Sequence, residues 1–202
     1  MRSLFPCNVH EICIKDFKII KDEVLNYIYQ EKKKSHGVIK SNRGGWQSPA
    51  VYTQFNNILS DIVKKEVTDY FTINKIFKEG VGIYFDNLWI NINPKGAFNV
   101  RHVHPQSDIS GVWWINIPKD SDGRLYFVNP HEYTHYEEIQ SYSEEFKKST
   151  SSYPEFYHEP TEGVILLFPS NLHHYVEENM SNKERISVSF NIRLRPLDPS
   201  DE

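Results

Sequence analysis

Cysteine is nearly absent: Cys7 and Cys13 are the only two in 202 residues. A close pair of thiols near the N-terminus is neither a disulfide framework nor a zinc-knuckle spacing, and it fits a reducing compartment. No apolar run approaches the roughly 18 residues that a membrane span needs. The opening "MRSLFPCNVHEICIKDF" has no long apolar core of the kind that marks a secretory signal. The expectation is a cytoplasmic chain without membrane association. Basic excess is missing as well: 23 Lys and Arg stand against 27 Asp and Glu, a formal charge of −4. A dedicated nucleic-acid surface is therefore not expected. There is no internal repeat, and no low-complexity tract beyond the acidic end "DPSDE".

The chain does carry enough length for one domain with a real core, here taken as 1–202. Aromatic residues make up 14% of it. Helix-period segments are confined to the first third. In "IIKDEVLNYIYQEKKK", Ile20, Val24, Tyr27 and Ile28 recur at helical spacing, and Lys32 to Lys34 suit the negative C-terminal end. In "PAVYTQFNNILSDIVKKEVTDYF", Pro49 suits a first turn, and Phe55, Ile58, Leu59, Ile62 and Val63 form an apolar stripe. The stretch "SNRGGWQSP" between them reads as a loop. Its Gly44, Gly45 and Trp46 are either a structural turn or a substrate-contacting loop.

From Ile73 onward the pattern becomes short β segments separated by turns: "NLWININ", "AFNVRHVH", "ISGVWWINIP", "RLYFVNP", "EFYHEP", "VILLFPS" and "ERISVSFNIRL". Such a series favours a sandwich or jelly roll over a parallel sheet. The expected division is a helical N-terminal part, 1–72, and a β core, 73–195. The segment from His131 to Pro154 breaks the rhythm, and a loop of that length is a functional lid or disordered.

Alternation along "AFNVRHVH" puts Phe98, Val100, His102 and His104 on one face, so two imidazoles can reach one metal ion. A third ligand must come from elsewhere. In "FPSNLHHYVEEN", His174 shares a face with Leu172 and Val176, and His173 shares the other with Tyr175, so one of the two faces inward. Further on, Arg185, Ser187, Ser189, Asn191 and Arg193 occupy one face of a strand. That polar face looks into water or lines a pocket for an anion, to which an arginine fork and a serine hydroxyl both donate. Trp113 and Trp114 straddle the two faces of their strand, one in the core and Trp114 bordering the pocket. His131, His135, His158 and His173 read as non-ligands.

These elements together resemble the Fe(II)/2-oxoglutarate-dependent dioxygenases. "HVHPQSDISGVWWINIP", "GRLYFVNP" and "PTEGVILLFPSNLHHYVEENMSNKERISVSFN" are similar to a subgroup with the pattern His-x-His-Pro-x-Ser-x-x-Ser-Gly, then Pro-x-x-Gly, Leu-x-His and Arg-x-Ser-x-Ser-Phe-Asn. The likeness runs from about Asn91 to Asn191, with weaker agreement at "LFP" and "GGWQS". It implies a mainly β double-stranded β-helix, or jelly roll, with N-terminal α-helices packed on it. It further implies an iron-binding hydroxylase that uses dioxygen and 2-oxoglutarate and releases succinate and carbon dioxide.

Carried over by position, His102 matches the first metal ligand and His174 the distal one. His104 stands where most relatives have Asp or Glu, and Asp108 is the second choice for a carboxylate ligand. Arg185 and Ser187 would hold the co-substrate's distal carboxylate, with Asn191, Tyr126 and Asn91 as further contacts. The substrate is left open between a small molecule and a protein side chain. Two other classes are weighed: a cupin-like three-His metalloenzyme without 2-oxoglutarate, and a non-catalytic metal-binding jelly roll.

Overall fold

A computed structural model of the chain describes residues 7–50, 56–121, 123–131 and 136–197, with 136–138 as backbone only. In chain order the elements are β1 (His10–Cys13), α1 (Phe17–Lys34), β2 (Asn42–Arg43), β3 (Trp46–Gln47), α2 (Ile58–Ile73), β4 (Val81–Asn93), β5 (Phe98–His102) and β6 (Ile109–Asn116). They continue with β7 (Leu125–Val128), α3 (Tyr136–Ser141), α4 (Glu144–Thr150), β8 (Glu155–His158), β9 (Val164–Pro169), β10 (His174–Val176) and β11 (Arg185–Pro196). The strands form two antiparallel sheets, β1-β9-β6-β11-β4-β3 and β2-β5-β10-β7-β8. This is a jelly roll with α1 and α2 packed on the larger sheet.

Period-two alternation divides the interior into two cores. Leu88, Ile90, Ile92, Trp113, Ile115, Ile165, Leu167, Ile186 and Val188 point outward to meet Phe17, Val24 and Ile28 of α1 and Leu59, Val63, Val67 and Phe71 of α2. The alternate residues Val112, Trp114, Val164, Leu166 and Phe168 point between the sheets, where they meet Leu125, Phe127 and Leu172. Each large side chain withdrawn from water contributes about 1.5–3 kcal/mol, so the helices are held by packing more than by propensity.

Several expectations change. Pro49 does not begin a helix: α2 starts at Ile58, after Asn57 accepts from Leu59 N and Ser60 N while Ser60 Oγ accepts from Asn57 N. Phe55 and His135 lie outside the described residues. "SNRGGWQSP" is more than a loop. Its residues give one short strand to each sheet, and β1 also joins the larger sheet, so 1–72 is not purely helical. Gly44 turns that corner at φ 70, and Trp46 Nε1 donates to Ser35 O. The segment after His131 contains α3 and α4, so helix is not confined to the first third. The lysine run ends α1 as expected.

Candidate active site

Strand β10 is bonded between β5 and β7, and its His174 lies directly opposite His102. Between these pairs the register slips: Val176 faces Asn99, so three steps on β5 match two on β10. That bulge re-aims the strand, and Asn99 rather than Val100 or Phe98 joins His102 in the pocket between the sheets. His104 is not on the strand at all. It sits two residues past the end of β5, held by its N–H donating to Ser170 O (2.8 Å), and its ring packs on Trp89. Strand alternation therefore does not place it; the turn does.

The three rings nevertheless converge. Their centroids are 4.3 Å (His102 and His174), 5.0 Å (His102 and His104) and 5.3 Å (His104 and His174) apart. One nitrogen from each lies within 4.8 Å of the others. His102 Nδ1 is 2.7 Å from Val100 O, and His174 Nδ1 is 2.8 Å from Leu172 O. A carbonyl can only accept, so Nδ1 carries the proton in both rings and the Nε2 lone pairs are free. Burial keeps the rings neutral. It pushes His174 down to about 3, helped by the charge of His102, and His104 down to about 4, while His102 is also lowered. His173 points outward and takes no part. The second-choice carboxylate, Asp108, is not among the converging groups: it is exposed, and its Oδ2 accepts from Leu194 N at 2.8 Å.

The pocket runs from these histidines toward the start of β11. Trp89, the residue against His104, is the register partner of Ser189, and Arg185 lies four residues, about 13 Å, further along that strand. Arg185 is 2% exposed; Nη1 donates to Glu177 O (3.0 Å), and Nη2 has no protein partner among the described residues. Burial lowers its pKa to about 10, partly offset by the Glu177 charge, so it remains a cation at neutral pH. Room for the guanidinium comes from Gly123, where a Cβ would lie 1.3 Å from Nη1.

Ser187 and Asn91 line the same pocket, and so does Trp114. Asn191 does not. Its amide donates to Asn87 Oδ1 and accepts from Ser110, whose hydroxyl in turn accepts from Ser170, a structural network beneath the site. Tyr126 stands on the outer face of the smaller sheet, stacked on Tyr175 at 4.9 Å, away from the pocket. Arg193 shares the strand but forms an ion pair with Asp86 outside the pocket. Trp89, Asn93 and Ser41, none of them among the expected site residues, also line the pocket. The first two were readable in "NLWININ", whose alternate residues Trp89, Asn91 and Asn93 face the opposite way from Leu88, Ile90 and Ile92.

Three neutral imidazoles at one end of a buried pocket and an arginine at the other fit a divalent transition metal and an anionic chelator. Imidazole suits Fe(II), and three neutral donors leave the ion's charge to be met by the ligand. The fold and this site together define a jelly-roll metalloenzyme.

The family profile described as "Putative 2OG-Fe(II) oxygenase" matches residues 87–191, just over half of the chain. The chain belongs to this family, the non-haem oxygenases that use Fe(II) and 2-oxoglutarate. Among solved structures it is similar to a prolyl-4-hydroxylase from Pseudomonas putida, with TM-score 0.64 and 15% identity over 94% of each chain. It is also similar to the viral collagen prolyl hydroxylase of Paramecium Bursaria Chlorella virus-1, solved as its 2OG complex, with TM-score 0.58 and 14% identity over 91% of this chain and 94% of that one. The α-ketoglutarate dependent carbocyclase SnoK from nogalamycin biosynthesis gives TM-score 0.62 and 11% identity over 92% of this chain and 79% of that one. At these identities the likeness is one of fold, and the fold serves ring closure as well as hydroxylation. No curated protein matches the sequence. No helix among the described residues is long and apolar enough to cross a membrane.

Proposed function

We propose that the enzyme hydroxylates a C–H bond of its substrate, a small molecule or a protein side chain, with His102, His104 and His174 as the Fe(II) ligands. In this reading Arg185 and Ser187 bind the distal carboxylate of 2-oxoglutarate, and the products include succinate and carbon dioxide. The observation that carries the assignment is the convergence of three neutral imidazole nitrogens within 4.8 Å, in a pocket that also contains a buried, half-partnered guanidinium.

Bound Fe(II) supplies the dioxygen chemistry together with 2-oxoglutarate. The chain's own work is positional. The carbonyls of Val100 and Leu172 hold two ligand rings in the tautomer that offers Nε2, as outer partners of metal ligands commonly do. Arg185 meets an anion in a dry site, where a charge-assisted bond is stronger than at the surface. The inward-packed Trp114, Phe168 and Leu125 exclude water from the pocket.

The test is succinate formation by anaerobically Fe(II)-loaded protein given 2-oxoglutarate, dioxygen and a panel of metabolites and peptides. Turnover that needs 2-oxoglutarate and is lost in His174→Ala supports the reading. Iron binding without any 2-oxoglutarate affinity overturns it.

A further inference from the structure

Ser187 is flanked on both sides by inward-facing residues of adjacent strands. Its register partner on β6 is Trp114 and its partner on β4 is Asn91; Arg185, two residues back on the same face, pairs with Asn93. Register partners on one face of an antiparallel pair carry Cβ atoms about 4.5–5.5 Å apart. Trp114, Ser187 and Asn91 thus make one row across the sheet, and Arg185 with Asn93 makes the next. All five line the pocket.

Trp114 is 1% exposed, yet its Nε1–H has no partner among the described residues. Arg185 Nη2 is in the same condition one row away. A buried donor left unmade costs free energy that a bound acceptor recovers. The orphaned indole alone would not suffice, because Trp113 also has one, in the helix-side core and outside the lining of this pocket. What distinguishes Trp114 is its place beside Ser187 and Arg185.

We propose that Trp114 is a co-substrate-binding residue, its indole N–H donating to the distal carboxylate of 2-oxoglutarate beside Arg185 and Ser187. The assignment rests on the reading above that this carboxylate lies at Arg185. A carboxylate offers about four lone-pair sites, enough for all three donors. Arg185 supplies charge, while the rigid indole fixes the depth at which an acceptor must end. A 2-oxo acid that ends in a methyl group gains nothing from it.

The test is titration of Mn(II)-loaded wild type, Trp114→Phe and Trp113→Phe with 2-oxoglutarate and with 2-oxopentanoate, which carries a methyl group in place of the distal carboxylate. Trp114→Phe should bind 2-oxoglutarate about tenfold more weakly, with 2-oxopentanoate unchanged and Trp113→Phe like wild type. Equal weakening for both acids would make Trp114 a packing residue and overturn the proposal, as would 2-oxoglutarate affinity within twofold of wild type. Wild type that binds no 2-oxoglutarate would overturn the underlying reading instead. Should Trp114→Phe fold poorly, wild type loaded with Zn(II) serves. The 15N-indole resonance of Trp114, one of four in the chain, should move downfield with 2-oxoglutarate and stay with 2-oxopentanoate; the same position with both acids refutes the contact.

Discussion

Gly123→Ala should damage the co-substrate end of the pocket while sparing the metal end. The new Cβ would lie 1.3 Å from Arg185 Nη1, 2.6 Å from Cζ and 3.3 Å from Cδ. The shortest of these separations is far inside any van der Waals contact, so the clash is the effect to be tested. Ordinary contact needs about 3.5 Å, so the guanidinium must retreat by about 2 Å. Retreat breaks its 3.0 Å bond to Glu177 O, and a bond from a charged donor is worth about 1.5–3 kcal/mol. The melting temperature should fall by about 4–8 °C for a loss near 2 kcal/mol in a chain of this length. Displacement of the cation should weaken 2-oxoglutarate by about tenfold or more. Mn(II) affinity should hold, because the histidines gather about 13 Å along β11 from Arg185. Calorimetric titration of metal and then co-substrate, with a thermal melt, measures all three. Unchanged 2-oxoglutarate affinity and an unchanged melt would refute the steric reasoning.

Single replacement of His102, His104 or His174 by Ala should abolish stoichiometric Fe(II) binding. Asp108→Ala should keep the metal and lose only about 1 kcal/mol, the value of its bond to Leu194 N; metal retained without His104 would reverse the ligand assignment. Arg185→Ala should weaken 2-oxoglutarate about 30-fold or more, from the roughly 2–5 kcal/mol that follows truncating a buried charge pair. Arg193→Ala should have a smaller effect, since its partner is Asp86. The metal-free protein should melt at lower temperature as the pH falls below about 6.5. Folded His174 and His104 titrate near 3 and 4, so in that window the unfolded chain binds more protons and stability rises with pH. A melt that is flat from pH 7 to 5, or a pH response undiminished in His174→Ala, would contradict this.

The sequence by itself determined what depends on local period and residue chemistry. Alternation in "RISVSFNIRL" already separated a polar face from an apolar one, and Trp113 and Trp114 fell on opposite faces of their strand, as the two cores have them. Spacing pointed to His102 and His104 as a pair, whereas the choice of His174 over His173 and of Arg185 as an anion-binding residue came from the resemblance to the dioxygenase pattern. The stripe of α2 was equally plain, although its start was not. Pro49 is an acceptable first residue for a helix, but Asn57 and Ser60 satisfy the free N–H groups of the first turn reciprocally.

Only the tertiary structure decided what rests on register and on contacts between distant residues. One bulge on β5 moved Asn99 into the pocket and Val100 out of it, and no property of "FNVRH" announces where pairing with β10 slips. His104 reaches its neighbours through a bond to Ser170, 66 positions away in the chain. Asp108, Tyr126 and Asn191 have the right chemistry for the site, yet Leu194 N, Tyr175 and Asn87 respectively engage them elsewhere. Residue type tells what a side chain can do. Which partner it meets is set by strand pairing and packing across the whole domain, and that is where Gly123, Asn93 and Trp114 acquire their places around Arg185.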